Sequence, residues 1–255
     1  MASFRHAFIT GASSGLGRGL ALHYARAGTT VYAAARRREA LEALARETDL
    51  QAAIVPVALD VCDAEAQEAA FRGAEAAVGG AFDLVVANAG VSEPSSARDL
   101  RWSAVRRVLD VNATAACVTV ALALPAMISR GRGTVAVVSS LAGFRGLPGQ
   151  GAYCASKAAL QTFMESLRVD LRGTGVRAIT INPGFVKTDM TAGNTFPMPF
   201  LMELPDAVKV MAAGLDAGRA VVSFPLPLYV AVKVLSALPR LIYEPLAGRG
   251  PTRSR

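Results

Sequence analysis

Tyr153 and Lys157 stand four residues apart in Tyr-Cys-Ala-Ser-Lys, inside a stretch that reads as helix. Residues at that spacing share one helical face, so an ammonium can stand beside a phenol. A cation there favours phenolate over phenol. In partly buried surroundings a neighbouring unit charge is worth about 4 kcal/mol at most, or up to roughly three pKa units. The expectation is a phenol that titrates well below its usual ~10 and trades a proton with a substrate oxygen near neutral pH. Ser140 lies thirteen residues upstream, after a strand-like run, where its hydroxyl could hold the same oxygen. Alone, each signal is weak. A Tyr-x-x-x-Lys pair is usually a plain helix face, and a serine at a strand end is usually a cap or turn residue.

A second chemistry is suggested by Thr10-Gly11-Ala12-Ser13-Ser14-Gly15-Leu16-Gly17, which ends an apolar run and opens an amphipathic helix. Glycines at 11, 15 and 17 let the chain turn tightly and approach a pyrophosphate, whose charge a helix N-terminus favours. Their spacing differs from the usual G-x-G-x-x-G. The next strand-like run ends in Ala35-Arg36-Arg37-Arg38, with no acid before Glu39. An acidic residue there would grip ribose hydroxyls, whereas Arg36 and Arg37 offer paired donors to a 2′-phosphate. NADP(H) is therefore expected in preference to NAD(H). Asp60 either accepts a hydrogen bond from an adenine amino group or caps the helix that begins at residue 64.

The elements that must position these residues follow from periodicity. Short apolar runs at 7–10, 30–35, 53–59, 84–87, 134–139 and 177–182 alternate with helical stretches at 16–27, 38–48, 64–78, 102–129 and 153–172. Strands of that kind between helices are covered on both faces, which means a parallel sheet. The expected fold is α/β, a Rossmann-type doubly wound parallel sheet of about seven strands in a single domain. With 52% hydrophobic and 18% charged residues, the 255-residue chain can bury a large core. The N-terminus lacks the ordered regions of a signal peptide, and the three cysteines are scattered, so a cytoplasmic, reducing setting is expected. Cys154, beside Tyr153, reads as a small buried thiol. The net charge of +7 is spread over dispersed arginines, among them Arg249, Arg253 and Arg255 near the end. Aromatic residues make up 6%, and no basic stripe interleaves with them, which argues against a nucleic-acid partner. A serine hydrolase is excluded by the lack of a G-x-S-x-G elbow and of any histidine after Ser140. His6 and His23 have no clustered partners, so no metal is expected.

Taken together, these residues resemble the short-chain dehydrogenase/reductase family over nearly the whole chain. The matching residues are T-G-x-x-x-G-x-G at 10–17, Asp60, Asn88-Ala89-Gly90, Asn112, Ser140, Tyr153, Lys157, and Pro183-Gly184 followed by Val186 and Thr188. The resemblance implies a catalytic set of Asn112, Ser140, Tyr153 and Lys157. It implies a cofactor site of Gly11, Ser13, Ser14, Gly15, Leu16, Gly17, Arg36, Arg37, Asp60, Val61, Asn88, Ala89, Gly90, Tyr153, Lys157, Pro183, Gly184, Val186 and Thr188. Asn112 would hold a water that connects Lys157 to solvent, and Lys157 would bind the nicotinamide ribose. A homodimer or homotetramer built on the helices 102–129 and 153–172 is implied too. The sequence departs from the pattern at Ser14, where many NADP(H)-using relatives carry a basic residue, so the cofactor expectation rests on Arg36 and Arg37.

After Lys187 the composition changes, and residues 187–217 are expected to form a substrate lid, rich in Met and Phe to about 202 and helical from 205. The tail, about 224–247, is apolar nearly all round, but its prolines make a spanning helix improbable. It could pack on the chain's own lid, be buried between subunits, or lie in a lipid surface as a peripheral contact. Lid and tail together suggest an apolar carbonyl or alcohol as substrate: 3-oxoacyl, ketosphingoid or steroid-like. The alternative from another class is a non-catalytic NADP(H)-binding regulator or scaffold, against which the intact Asn112, Ser140, Tyr153 and Lys157 argue.

Overall fold

A computed structural model describes residues 4–47, 54–93 and 96–247. The expected strand start at 53, the helix end at 48, and Arg249, Arg253 and Arg255 lie outside the described residues. Seven strands, β1 (His6–Thr10), β2 (Thr30–Ala35), β3 (Ile54–Ala58), β4 (Leu84–Ala87), β5 (Gly133–Val138), β6 (Val176–Pro183) and β7 (Val221–Phe224), form one sheet. Their order is β3-β2-β1-β4-β5-β6-β7, and every pairing is parallel. The winding reverses between β1 and β4, and it is at such a crevice, beyond the carboxyl ends of the strands, that doubly wound sheets bind ligands.

Alternation within each strand makes two cores. Ile9, Val31, Val86 and Ile181 face one side, against Leu20 of α1 (Gly15–Arg26), Leu41 of α2 (Arg38–Arg46) and Met211 of α8 (Leu204–Asp216). Phe8, Tyr32, Val85 and Val137 face the other, against Phe71 of α3 (Ala64–Ala77), Val120 of α5 (Ala115–Arg130) and Leu160 of α6 (Gly151–Asp170). Both faces of the sheet are thus dry, which is why its strands read as continuous apolar runs.

Three local features differ from the sequence reading. The expected unbroken helix 102–129 is α4 (Trp102–Leu109), a π turn (Asp110–Thr114), then α5. The π turn is centred on Asn112, which is fully buried and bonded to the chain after β4. Next, the segment 187–217, expected as one lid, does not form a single unit. Beyond the short α7 (Asp189–Ala192), the chain returns to pair Val186 with Met202. From Leu204 it enters α8, whose Ala207, Met211 and Leu215 are wholly buried, so 204–216 is core rather than cover. Finally, the tail is two helices, α9 (Leu226–Ala237) and α10 (Arg240–Ala247), parted at Leu238-Pro239, where the residue before the proline is extended (ψ 137°) as proline favours. One side of α9 packs on its own chain, through Tyr229 against Phe144 (5.8 Å between ring centroids). Leu226, Val230 and Val234, with Leu241 and Ile242 of α10, remain exposed.

Candidate active site

The glycine turn after β1 is shaped by its neighbours. Gly11 and Gly15 have left-handed backbones, with φ of 67° and 54°, which favour glycine. A Cβ on Gly11 would come within 2.7 Å of Ala89 Cα, and one on Gly17 within 2.3 Å of Asn88 Nδ2. Asn88 Nδ2 donates to the carbonyls of Thr10 (3.0 Å) and Gly11 (3.3 Å), and Thr10 Oγ1 accepts from the backbone N–H groups of Asn88 and Ala89. The Asn-Ala-Gly segment after β4 thus holds the turn in a shape that leaves backbone open above it. Such a cradle fits a pyrophosphate.

One cavity of about 620 Å³ runs from this cradle across the strand ends. Gly11, Ser13, Ser14, Gly15, Leu16, Arg36, Arg37, Asp60, Val61, Asn88, Ala89 and Gly90 line one end. Ser140, Tyr153, Lys157, Pro183, Gly184, Val186 and Thr188 line the cavity too, with Thr188 against Gly15 of the turn. Two expected residues lie outside it. Gly17 is buried beneath the turn, and Asn112 is behind the wall.

Arg37 is held at the mouth, donating from Nε (3.3 Å) and Nη2 (3.0 Å) to Ser13 Oγ. Asp60 does not cap the following helix. That place belongs to Asp63, whose carboxylate accepts from Ala66 N–H at 3.0 Å. Asp60 accepts from Cys62 N–H (3.0 Å) and faces the cavity.

Ser140 follows β5, and Tyr153 and Lys157 come from successive turns at the start of α6. Ser140 Oγ accepts from Ala142 N–H at 3.1 Å and reaches Pro183 O at 3.4 Å, so its rotation is restricted. Its hydrogen bond to Tyr153 lowers the phenol's pKa, but burial is the larger effect, and on balance the phenol is pushed above its ordinary value. Lys157 is buried, donates from Nζ to Val138 O at 2.8 Å, and titrates at about 8 because burial disfavours its charge. Nζ stands 5.7 Å from the centroid of the Tyr153 ring. The expected fall of the phenol's pKa is therefore absent from the protein by itself: amine and phenol share a buried setting, and each is driven toward neutrality. The geometry expected of the pair is present, since both residues line the cleft.

Asn112 explains the π turn. Its Oδ1 accepts from Val91 N–H (2.7 Å), and its Nδ2 donates to Val91 O (2.9 Å) and to Ser156 Oγ (3.1 Å). It fastens the chain beyond β4 to the helix that carries Tyr153 and Lys157.

Gln161 was missed by the sequence reading. One turn beyond Lys157, its Nε2 donates to Ser140 O (3.0 Å) and Asn182 Oδ1 (3.2 Å), joining the ends of β5 and β6 beneath the serine. A polar residue continuing the 153, 157 spacing was the available signal. Cys154 is buried with its thiol pushed up by burial, which makes it structural.

A parallel sheet that cradles a dinucleotide on one side of its reversal and gathers serine, tyrosine and lysine on the other defines a class of cofactor-dependent oxidoreductases. The chain matches the short chain dehydrogenase family model over residues 5–196, and it belongs to that family of NAD(P)-dependent dehydrogenases and reductases. It is 54% identical, over 97% of its length and 98% of the relative's, to an uncharacterized oxidoreductase of Myxococcus xanthus. It is 38% identical to a sulfoacetaldehyde reductase of Chromohalobacter salexigens, over 74% of this chain and 75% of that one. Among solved structures, a short-chain dehydrogenase from Streptomyces avermitilis superposes with a TM-score of 0.81 at 25% identity, covering 90% of this chain and 91% of the other.

Proposed function

We propose that the chain interconverts a ketone and an alcohol on an apolar, lipid-like substrate with NADP(H), and that Tyr153 is its general acid and base. The convergence of Ser140, Tyr153 and Lys157 in a cavity with a dinucleotide cradle at one end carries this reading. The nicotinamide cofactor, when bound, supplies or accepts the hydride. The chain's own residues handle the proton. In reduction, Ser140 Oγ–H donates to the carbonyl oxygen and fixes its position, and Tyr153 Oη gives that oxygen its proton. The phenolate left behind is stabilised by the Lys157 ammonium, which Val138 O keeps near the ring. In oxidation Tyr153 takes the alcohol's proton. Asn112 is a positioning residue in this scheme.

The guanidinium of Arg37, steadied by Ser13, and Arg36 at the same cavity mouth support NADP(H), with NAD(H) the weaker cofactor. Phe185, Phe196, Leu228, Val232 and Leu235 around the far end support an apolar substrate. The exposed residues Trp102, Ile128 and Val169 support assembly as a homodimer or homotetramer through α4, α5 and α6, and the bare outer face of α9 and α10 supports a second contact, with a subunit or a lipid surface. Free thiols at Cys62, Cys117 and Cys154 fit a reducing, cytoplasmic setting.

The test is a panel of straight-chain ketones of increasing length, assayed with NADPH and with NADH. The expected result is kcat/KM that rises with chain length and favours NADPH by roughly tenfold or more, the worth of one charge-assisted phosphate contact. Equal turnover of short polar and long apolar ketones would overturn the substrate class, and preference for NADH would overturn the cofactor.

A further inference from the structure

We propose that Arg145 anchors an oxyanion at the head of the apolar substrate, so that the ligand is an anionic amphiphile, a carboxylate or phosphate carrying its carbonyl along an apolar chain. This rests on the apolar-substrate reading above and narrows it.

Arg145 follows Ser140 and the short turn Leu141–Gly143, so it belongs to the substrate end of the cavity and not to the glycine cradle. It is half-buried and lines the cavity beside Leu147, Val232 and Leu235. Nη1 donates to Ser236 O at 3.1 Å, and Cζ lies 4.2 Å from the centroid of the Tyr243 ring, whose hydroxyl donates to Gly146 O at 2.5 Å. Those partners are neutral. Among the described residues no carboxylate pairs with Arg145, whereas Arg107, another guanidinium lining the cavity, has Glu93 at 2.9 Å. A guanidinium stacked on a ring and fixed by a carbonyl is pre-organised, and its remaining donors suit an oxyanion's paired oxygens. Pockets of this kind orient a mostly apolar ligand with one or two polar contacts.

The competing role for Arg145 is a tie between the loop after β5 and the tail helices, which would act on every ligand alike. Equilibrium binding of decanoate, decyl phosphate and decanol to the full-length chain and to Arg145→Met and Arg145→Lys separates the two. Wild type is expected to bind at least one anion roughly tenfold to a hundredfold more tightly than the alcohol. Arg145→Met should erase that difference while leaving decanol binding unchanged, and Arg145→Lys should keep part of it. The preferred anion decides between carboxylate and phosphate. Equal binding of all three by wild type, or a uniform loss in Arg145→Met, overturns the anchor. Because the readout is binding, selectivity without turnover of any ketone would sink the proposed reaction and leave the anchor standing.

Discussion

At Lys157 the protein holds a charge against the preference of its surroundings. Burial brings the amine from its ordinary 10.5 to about 8, so below that value the folded state must keep an ammonium out of water. Above it the folded chain sheds the proton, while the unfolded chain holds on until its own value is passed. The contribution of Lys157 to stability therefore rises with pH across the window from about 8 to 10.5. Denaturant unfolding of wild type and Lys157→Met at pH 7 and pH 10 should show wild type gaining roughly 2–3 kcal/mol on the variant at the higher pH. A pH-independent difference would mean that the amine is not buried as described. At neutral pH the ammonium form still prevails, which is what stabilising a phenolate beside it requires. Tyr153 and Ser140 obey the same logic: the serine's hydrogen bond offsets part of what burial imposes on the phenol.

Among the elements, the π turn Asp110–Thr114 joins fold to site most directly. Asn112 within it satisfies both backbone groups of Val91 and the Ser156 hydroxyl. Removing the amide in Asn112→Ala takes away the partner of the part-buried Val91 backbone groups, while Ser156 Oγ keeps Tyr153 O at 2.7 Å, and the expected cost is about 1–3 kcal/mol of stability, with kcat reduced because α6 loses its fastening. Denaturant unfolding checks the first, and a loss under 0.5 kcal/mol would contradict it. Most of the sheet was legible in the sequence because strands buried on both faces must be runs of Val, Ile and Ala, and because Gly28, Gly79 and Gly173 cap or follow the helices between them. The π turn was not. Asparagine at 112 signals only that an ordinary helix is disfavoured there, and its partner Val91 is distant in sequence and met only on folding. The border between cover and core at 204 was hidden for another reason: α8 is amphipathic, and apolar residues in a lid and on a core helix look alike until the neighbouring α1 is in place. In the site, Ser140, Tyr153 and Lys157 were legible through spacing. Gln161 and Arg145 were not, since their partners Asn182 and Ser236 come from strands and helices far along the chain.

At the scale of the whole molecule one cavity joins three parts: the glycine turn with Arg36 and Arg37, the buried Tyr153 and Lys157, and the tail helices through Leu228 and Tyr243. Gly184 shows how closely these parts are joined, because a Cβ there would lie 2.7 Å from Leu228 Cδ2 of α9, so the tail packs directly on the turn after β6. All of this matters only if Tyr153 moves the proton. The direct measurement is single-turnover hydride transfer from bound NADPH to a long-chain ketone, in wild type and Tyr153→Phe, with cofactor binding measured separately in each. Cofactor affinity should be unchanged within about twofold and transfer slowed by roughly 10²–10⁴-fold, the range of general-acid catalysis. A Phe variant that binds cofactor normally and transfers hydride within a few-fold of wild type would contradict the account.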